Sequence, residues 1–142
     1  MTDEEFAQCN AEKRSTLAAY LEQQSIGSPN IGEWPAWEMA PHFGIWCIES
    51  QKQPGKIGWW AFAGDCPTDY VSESGACHPR SALRELVWNW EGYVAHMKEG
   101  RQPPDTTFHT ARHDLDEVAG LLESRVGVLK DWLAEDGLWE DR

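Results

Sequence analysis

The chain is poor in basic residues and long apolar runs. Lysine and arginine together number 12 against 24 aspartates and glutamates, giving a formal net charge of −12. A nucleic-acid binder needs a basic stripe to neutralise phosphates, and a protein docking on anionic lipid needs the same, so neither is expected here. No apolar stretch approaches the length that spans a bilayer. The first residues, Met1-Thr2-Asp3-Glu4-Glu5, lack the positive and apolar regions of a secretory leader. A cytoplasmic location is therefore expected. Cysteine is sparse (Cys9, Cys47, Cys66 and Cys77) and in a reducing compartment the expectation is four thiols. There is no internal repeat, no low-complexity tract and no N-x-[ST] acceptor site.

Catalytic signatures are missing as well. No G-x-S-x-G elbow, phosphate-binding Walker loop or G-x-G-x-x-G turn occurs. Cys66, Cys77 and His78 follow a C-x10-C-H spacing without the close cysteine pair of structural zinc sites. His109 and His113 stand four apart, but position 110 is Thr, so the glutamate of H-E-x-x-H is absent. No metal, cofactor or enzymatic activity is expected.

With 142 residues and 41% hydrophobic content, the chain is long enough for one domain over 1–142 with a real core. Residues 3–24 read as a first helix, with Asp3, Glu4 and Glu5 in its first turn complementing the helix dipole. Phe6, Cys9, Leu17, Tyr20 and Leu21 mark a weak apolar face. The runs His42–Glu49 (HFGIWCIE) and Lys56–Ala63 (KIGWWAFA) flank a Pro54-Gly55 turn and predict an antiparallel hairpin. Neither run alternates cleanly, so both faces of the sheet should be covered. Thr68–Val71 is a candidate third strand. Pro79 suits the first position of a second helix, whose stripe is Leu83, Leu86, Val87, Trp90, Val94 and Met97. A third helix begins between Thr110 and Asp114, carries Leu115, Val118, Leu122, Val126, Leu129 and Leu133, and ends with Gly137 as its C′ residue. The expected fold is α+β: a small antiparallel sheet, a meander of two or three strands, packed by three helices in the order α-β-β-(β)-α-α.

Nine tryptophans are the main compositional anomaly. Tryptophan builds cores efficiently and also anchors binding surfaces. Trp59 and Trp60, neighbours on a strand, must point to opposite faces. Trp88 lies about 160° round a regular helix from Trp90, and so off the apolar stripe. The expectation is that most of the nine are core and one or two lie at a binding surface.

The candidate binding residues follow from charge and loop chemistry. Asp65 and Asp69 lie in Gly64-Asp65-Cys66-Pro67-Thr68-Asp69-Tyr70, where they serve either a ligand or a turn. Arg80 and Arg84 form the close arginine pair of the mid-chain, with acids such as Asp65 or Asp69 as prospective partners. Asp131, Glu135 and Asp136 belong to an acidic end that also holds Trp132, Leu133, Leu138 and Trp139. That end is either a docking element or a last helix packing its apolar side.

Glu33-Trp34-Pro35-Ala36-Trp37, Ala40-Pro41, Ile45-Trp46-Cys47-Ile48-Glu49-Ser50, Gly58-Trp59-Trp60, Gly64-Asp65, Pro67-Thr68-Asp69-Tyr70-Val71 and His78-Pro79-Arg80 carry a resemblance. So does the terminal Leu138-Trp139-Glu140. The chain resembles, over nearly its whole length, a family of small acidic bacterial proteins described as a domain of unknown function. That resemblance implies no activity, cofactor or catalytic residue. In type, the chain is also similar to the immunity proteins that neutralise bacterial toxins, which are small, acidic and without enzymatic motifs. Two functional expectations result. The first is a cytosolic protein-binding module, immunity- or antitoxin-like, whose basic partner is a toxin or effector steered in by opposite charge. Its contact candidates are Trp88, Asp65, Asp69, Arg80, Asp131, Glu135 and Asp136. The second is a small-molecule or carbohydrate binder, or an enzyme, with its site at the Gly64–Tyr70 loop. The sequence fixes no oligomeric state.

Overall fold

The computed structural model describes residues 2–24, 30–39, 42–50, 52–64, 66–73, 78–101 and 115–140, the side chains of residues 66 and 67 excepted. Within them lie helix α1 (Asp3–Glu22), strands β1 (Trp37–Met39), β2 (Phe43–Glu49), β3 (Ile57–Gly64) and β4 (Cys66–Ser72), and helices α2 (Pro79–Lys98) and α3 (Leu115–Ala134). A short 3-10 turn, Asp136–Trp139, follows. The order is α-β-β-β-β-α-α, an α+β fold. The chain divides into two compact units, Met1–Pro79 and Arg80–Arg142.

In the first unit, α1 begins with a capping box. The Glu5 backbone N–H donates to Thr2 Oγ1 (3.1 Å), and the Thr2 N–H donates to Glu5 Oε2 (2.7 Å). Two otherwise orphaned donors are thereby satisfied, which offsets the weak apolar periodicity of this helix. Only the C-terminal half of α1 supplies fully buried anchors, Leu17 and Leu21; Phe6, expected on the apolar face, is 37% exposed.

The sheet is an antiparallel meander in the order β1-β2-β3-β4. Ile45 lies opposite Phe62 and Cys47 opposite Trp60, and on the other face Trp46 lies opposite Ala61 and Ile48 opposite Trp59. The last of these faces carries α1: Leu17, Leu21 and Ile31 join Trp46, Ile48, Ala61 and Ala63 in one buried cluster, with Tyr20, Trp59 and Tyr70 packed against it. Small residues make room there. A Cβ on Gly44 would fall 2.5 Å from the Trp46 ring. On the other face Trp37, Phe43, Ile45, Trp60, Phe62, Val71 and Asp69 are all buried. Phe43 stacks on Phe62 (6.1 Å between centroids) and meets Trp37 edge-on (6.4 Å). Burial on both faces explains why neither strand alternates, and Trp59 and Trp60 divide between the faces as neighbours must.

One strand escaped the sequence. β1 pairs Trp37 with Ile45 and Met39 with Phe43 on the edge of β2. Beside it Ile31 bridges Ile48, and Arg14 of α1 donates to the carbonyls of Ile31 and Gly32, both at 3.0 Å. The sheet therefore has four strands where two or three were expected.

In the second unit, α2 and α3 run antiparallel, as the ion pairs Lys98–Glu123 and Glu91–Lys130 (3.5 Å) fix. The predicted α2 stripe is buried in full, as are Leu115, Leu122, Val126 and Leu129 of α3. α3 ends at Ala134, and Gly137 lies inside the following 3-10 turn, not at the C′ position of the helix. Among the described residues, no helix is long and apolar enough to cross a membrane.

Candidate functional site

The loop joining β3 to β4 is tight because of Gly64. Its φ of +147° suits glycine, and a Cβ there would fall 2.1 Å from the His42 carbonyl oxygen. Gly64 pairs with Cys66 across the turn. Asp65, the intervening candidate, lies outside the described residues, as do Cys77, His109 and His113.

Asp69 is not in the turn but within β4, opposite Phe62, and only 2% exposed. Its Oδ1 accepts from the Tyr70 backbone N–H at 2.8 Å. A carboxylate in apolar surroundings is retained only with such bonds. Its neighbour Tyr70 turns to the α1 side and meets Tyr20 edge-on at 6.2 Å. Burial raises the Tyr70 phenol above its ordinary value, and the negative Asp69 carboxylate raises it further.

On the α1 side of the loop lies an open cleft of about 310 Å³, lined by Cys9, Glu12, Lys13, Thr16, Ala63, Gly64 and Thr68. Cys9, Lys13 and Thr16 are spaced three and four apart on α1, a pattern that places them on one helix face. The sequence held that signal, but it is common on surface helices. No tryptophan lines the cleft, and Asp69 belongs to the opposite face of the sheet. Cys9 and Cys47 are free thiols; burial pushes the Cys47 thiol up, so it stays protonated and behaves as a small apolar group. Among the described residues, no three of His, Cys, Asp and Glu gather as a metal would require.

The remaining candidates sit in the second unit. Arg80, in the first turn of α2, donates through one terminal nitrogen to the Leu133 carbonyl and to Asp136 Oδ1, both at 2.6 Å. Its guanidinium lies 5.9 Å from the centre of the Trp139 ring, and the Trp139 indole N–H donates to the Trp132 carbonyl at 2.9 Å. Arg80 thus fastens the acidic end of the chain, and Trp139 is buried. Asp131 and Glu135 remain exposed.

Trp88 is 78% exposed, the most open large hydrophobic side chain among the described residues. Its neighbours one turn away on α2 are Arg84, Glu85, Glu91 and Gly92, with Ser81 and Ala95 two turns away. Partial burial pushes the Glu85 carboxyl up. A protruding indole ringed by Arg84, two glutamates and a glycine has contact area to offer and little of its own fold to hold. Trp34, at 60%, is the other widely exposed tryptophan; Trp37, Trp46, Trp60, Trp90 and Trp139 are buried. Sequence reasoning overlooked Leu121 (47% exposed) and Val128 (39%) on α3. Their spacing of seven was readable, but it sits beside a stronger core stripe on the same helix.

Together these elements define a small acidic α+β protein, an aromatic four-stranded meander accompanied by an antiparallel helix pair. It belongs to the family described as a domain of unknown function, DUF4826, which matches residues 5–139. No curated protein matches the chain. No solved structure matches it either.

Proposed function

We propose that the chain is a cytoplasmic protein-binding module that captures a basic partner, acting as an immunity- or antitoxin-like inhibitor of a bacterial toxin or effector and without catalysis of its own. The observation that carries this reading is Trp88, an indole 78% exposed on α2 with Glu85 and Glu91 beside it. Exposing so large an apolar group forgoes the gain of burying it, about 2–3 kcal/mol, which a partner recovers by covering it. The net charge of −12 supports a basic partner, because opposite potentials steer encounter. Neither nucleic acid nor membrane fits that charge.

The test is affinity capture from the native host at low and at high salt, with wild-type protein and Trp88→Ala side by side. The expected result is a stoichiometric basic protein that is retained by the wild type, weakened by salt and lost with Trp88→Ala. Folding should be untouched, since surface substitutions shift stability by about 0.5 kcal/mol or less. Capture of no basic protein, or equal capture by both, overturns the reading.

A second reading, small-ligand binding at the Gly64–Tyr70 loop, has the 310 Å³ cleft in its favour. It expected an exposed tryptophan and both aspartates beside the ligand. The cleft lacks the tryptophan, and Asp69 faces the other way. A metabolite screen by thermal shift, repeated on Lys13→Ala, tests it.

A further inference from the structure

The outward face of α3 carries features that its own fold does not use. Leu121 and Val128 are exposed, seven residues apart, and so lie on one side of the helix about two turns from each other. Immediately before each stands a glycine, Gly120 and Gly127. A Cβ at either would meet nothing within 4 Å, and neither is among the glycines with positive φ. Glycine is among the poorest helix formers, and neither contact nor backbone conformation within the described residues requires it here. Along the same face run Glu117, Ser124 and Asp131, all exposed, with the half-buried Arg125 one turn from both Leu121 and Val128. Glu117 and Asp131 have no ion-pair partner among the described residues. Glu123 and Lys130, by contrast, lie on the α2 side and are paired with Lys98 and Glu91.

We propose that this face seats an α-helix of the binding partner, amphipathic and rich in lysine and arginine. The proposal rests on the protein-binding reading above and names the element that is bound. A seven-residue repeat of apolar and small positions is the pattern that a second helix packs along at a shallow crossing angle. The missing Cβ atoms at 120 and 127 let that helix approach closely, with Leu121 and Val128 as anchors. Glu117 and Asp131 outnumber Arg125 on this face, and together with the chain's net charge of −12 they select a basic occupant. The same excess disfavours a second copy of this chain, because two such faces would bring like charge together.

The probe is a synthetic amphipathic peptide of about 20 residues, the length of α3, with leucine and alanine on one face and lysine and arginine on the other. Its binding to the full chain is read by calorimetry at low salt, beside a scrambled peptide of the same composition. One-to-one binding is expected, at least about tenfold tighter than the scrambled peptide. Gly120→Gln with Gly127→Gln fills the approach without changing charge and favours the helix, so a folded variant that binds at least about tenfold more weakly is expected. Equal binding by this variant, or by the scrambled peptide, overturns the proposal. A wild-type dimer in sedimentation that the same double variant dissolves also overturns it, by giving the face to a second copy. The two readings separate on the partner captured from the host. Loss with Trp88→Ala but retention by the glycine double variant sinks this inference and leaves the binding module standing. Retention by both variants sinks the two together.

Discussion

At the scale of single residues, Tyr70 makes a prediction with a definite sign. Its phenol is raised by burial and by Asp69 above the ordinary 10.0. Between the unfolded and folded pKa values, the folded chain keeps a proton that the unfolded chain has released. This group's contribution is therefore complete below pH 10 and is lost as pH rises through the folded value. Tyr70→Phe removes that loss. In urea denaturation at about pH 9 and about pH 11, the variant should gain on wild type as the pH rises. A gap that stays constant would mean that Tyr70 titrates alike in both states. Some of the residue-level picture was legible beforehand. The angle of Trp88 from its stripe announced its exposure, and adjacency on a strand separated Trp59 from Trp60. The burial of Asp69 was not, because a lone aspartate between Thr and Tyr after a Gly-Asp-Cys-Pro turn looks like a turn residue. The Arg80–Asp136 contact spans 56 positions in sequence, and charge alone pointed to nearer acids.

Among the elements, strength of signal followed length and regularity. The strong stripe of α2 appeared in full. Of the α3 stripe, Leu115, Leu122, Val126 and Leu129 are buried and Val118 and Leu133 half-buried, while its expected start between Thr110 and Asp114 lies outside the described residues. The hairpin of β2 and β3 was placed to within a residue by its turn. β1 has three residues, too few to show a period of two, and owes its existence to the edge of β2. Gly137 looked like a helix stop, yet the chain leaves α3 at Ala134 and closes a 3-10 turn around that glycine, which Arg80 fastens through Asp136. The glycines inside α3 give the prediction of this scale. Gly120→Ala and Gly127→Ala should each raise stability by about 0.8–1 kcal/mol, read as a higher denaturation midpoint. A destabilised variant would show that a neighbour crowds that position after all.

For the whole molecule, the fold class was legible because strands and helices are segregated along the chain, and the charge was legible by counting. Its division into the units Met1–Pro79 and Arg80–Arg142 was not, since the boundary falls at the start of α2, where no linker composition marks it. Charge sets the prediction at this scale. Against a basic partner, raising salt from about 0.05 to about 0.5 M should slow association at least about tenfold and change dissociation far less, as stopped-flow mixing would show. An association rate indifferent to salt would remove electrostatic steering from the account.

The distribution of the nine tryptophans makes the molecule its own optical sensor. Five indoles are sealed in the interior, where blue-shifted emission shielded from quenchers is expected, Trp59 and Trp132 are half-buried, and Trp34 and Trp88 stand open to water. Acrylamide therefore has two principal targets, one in each unit. With Trp34→Phe, a partner that closes over α2 reports itself as a loss of quenching and a blue shift chiefly from Trp88, without a label.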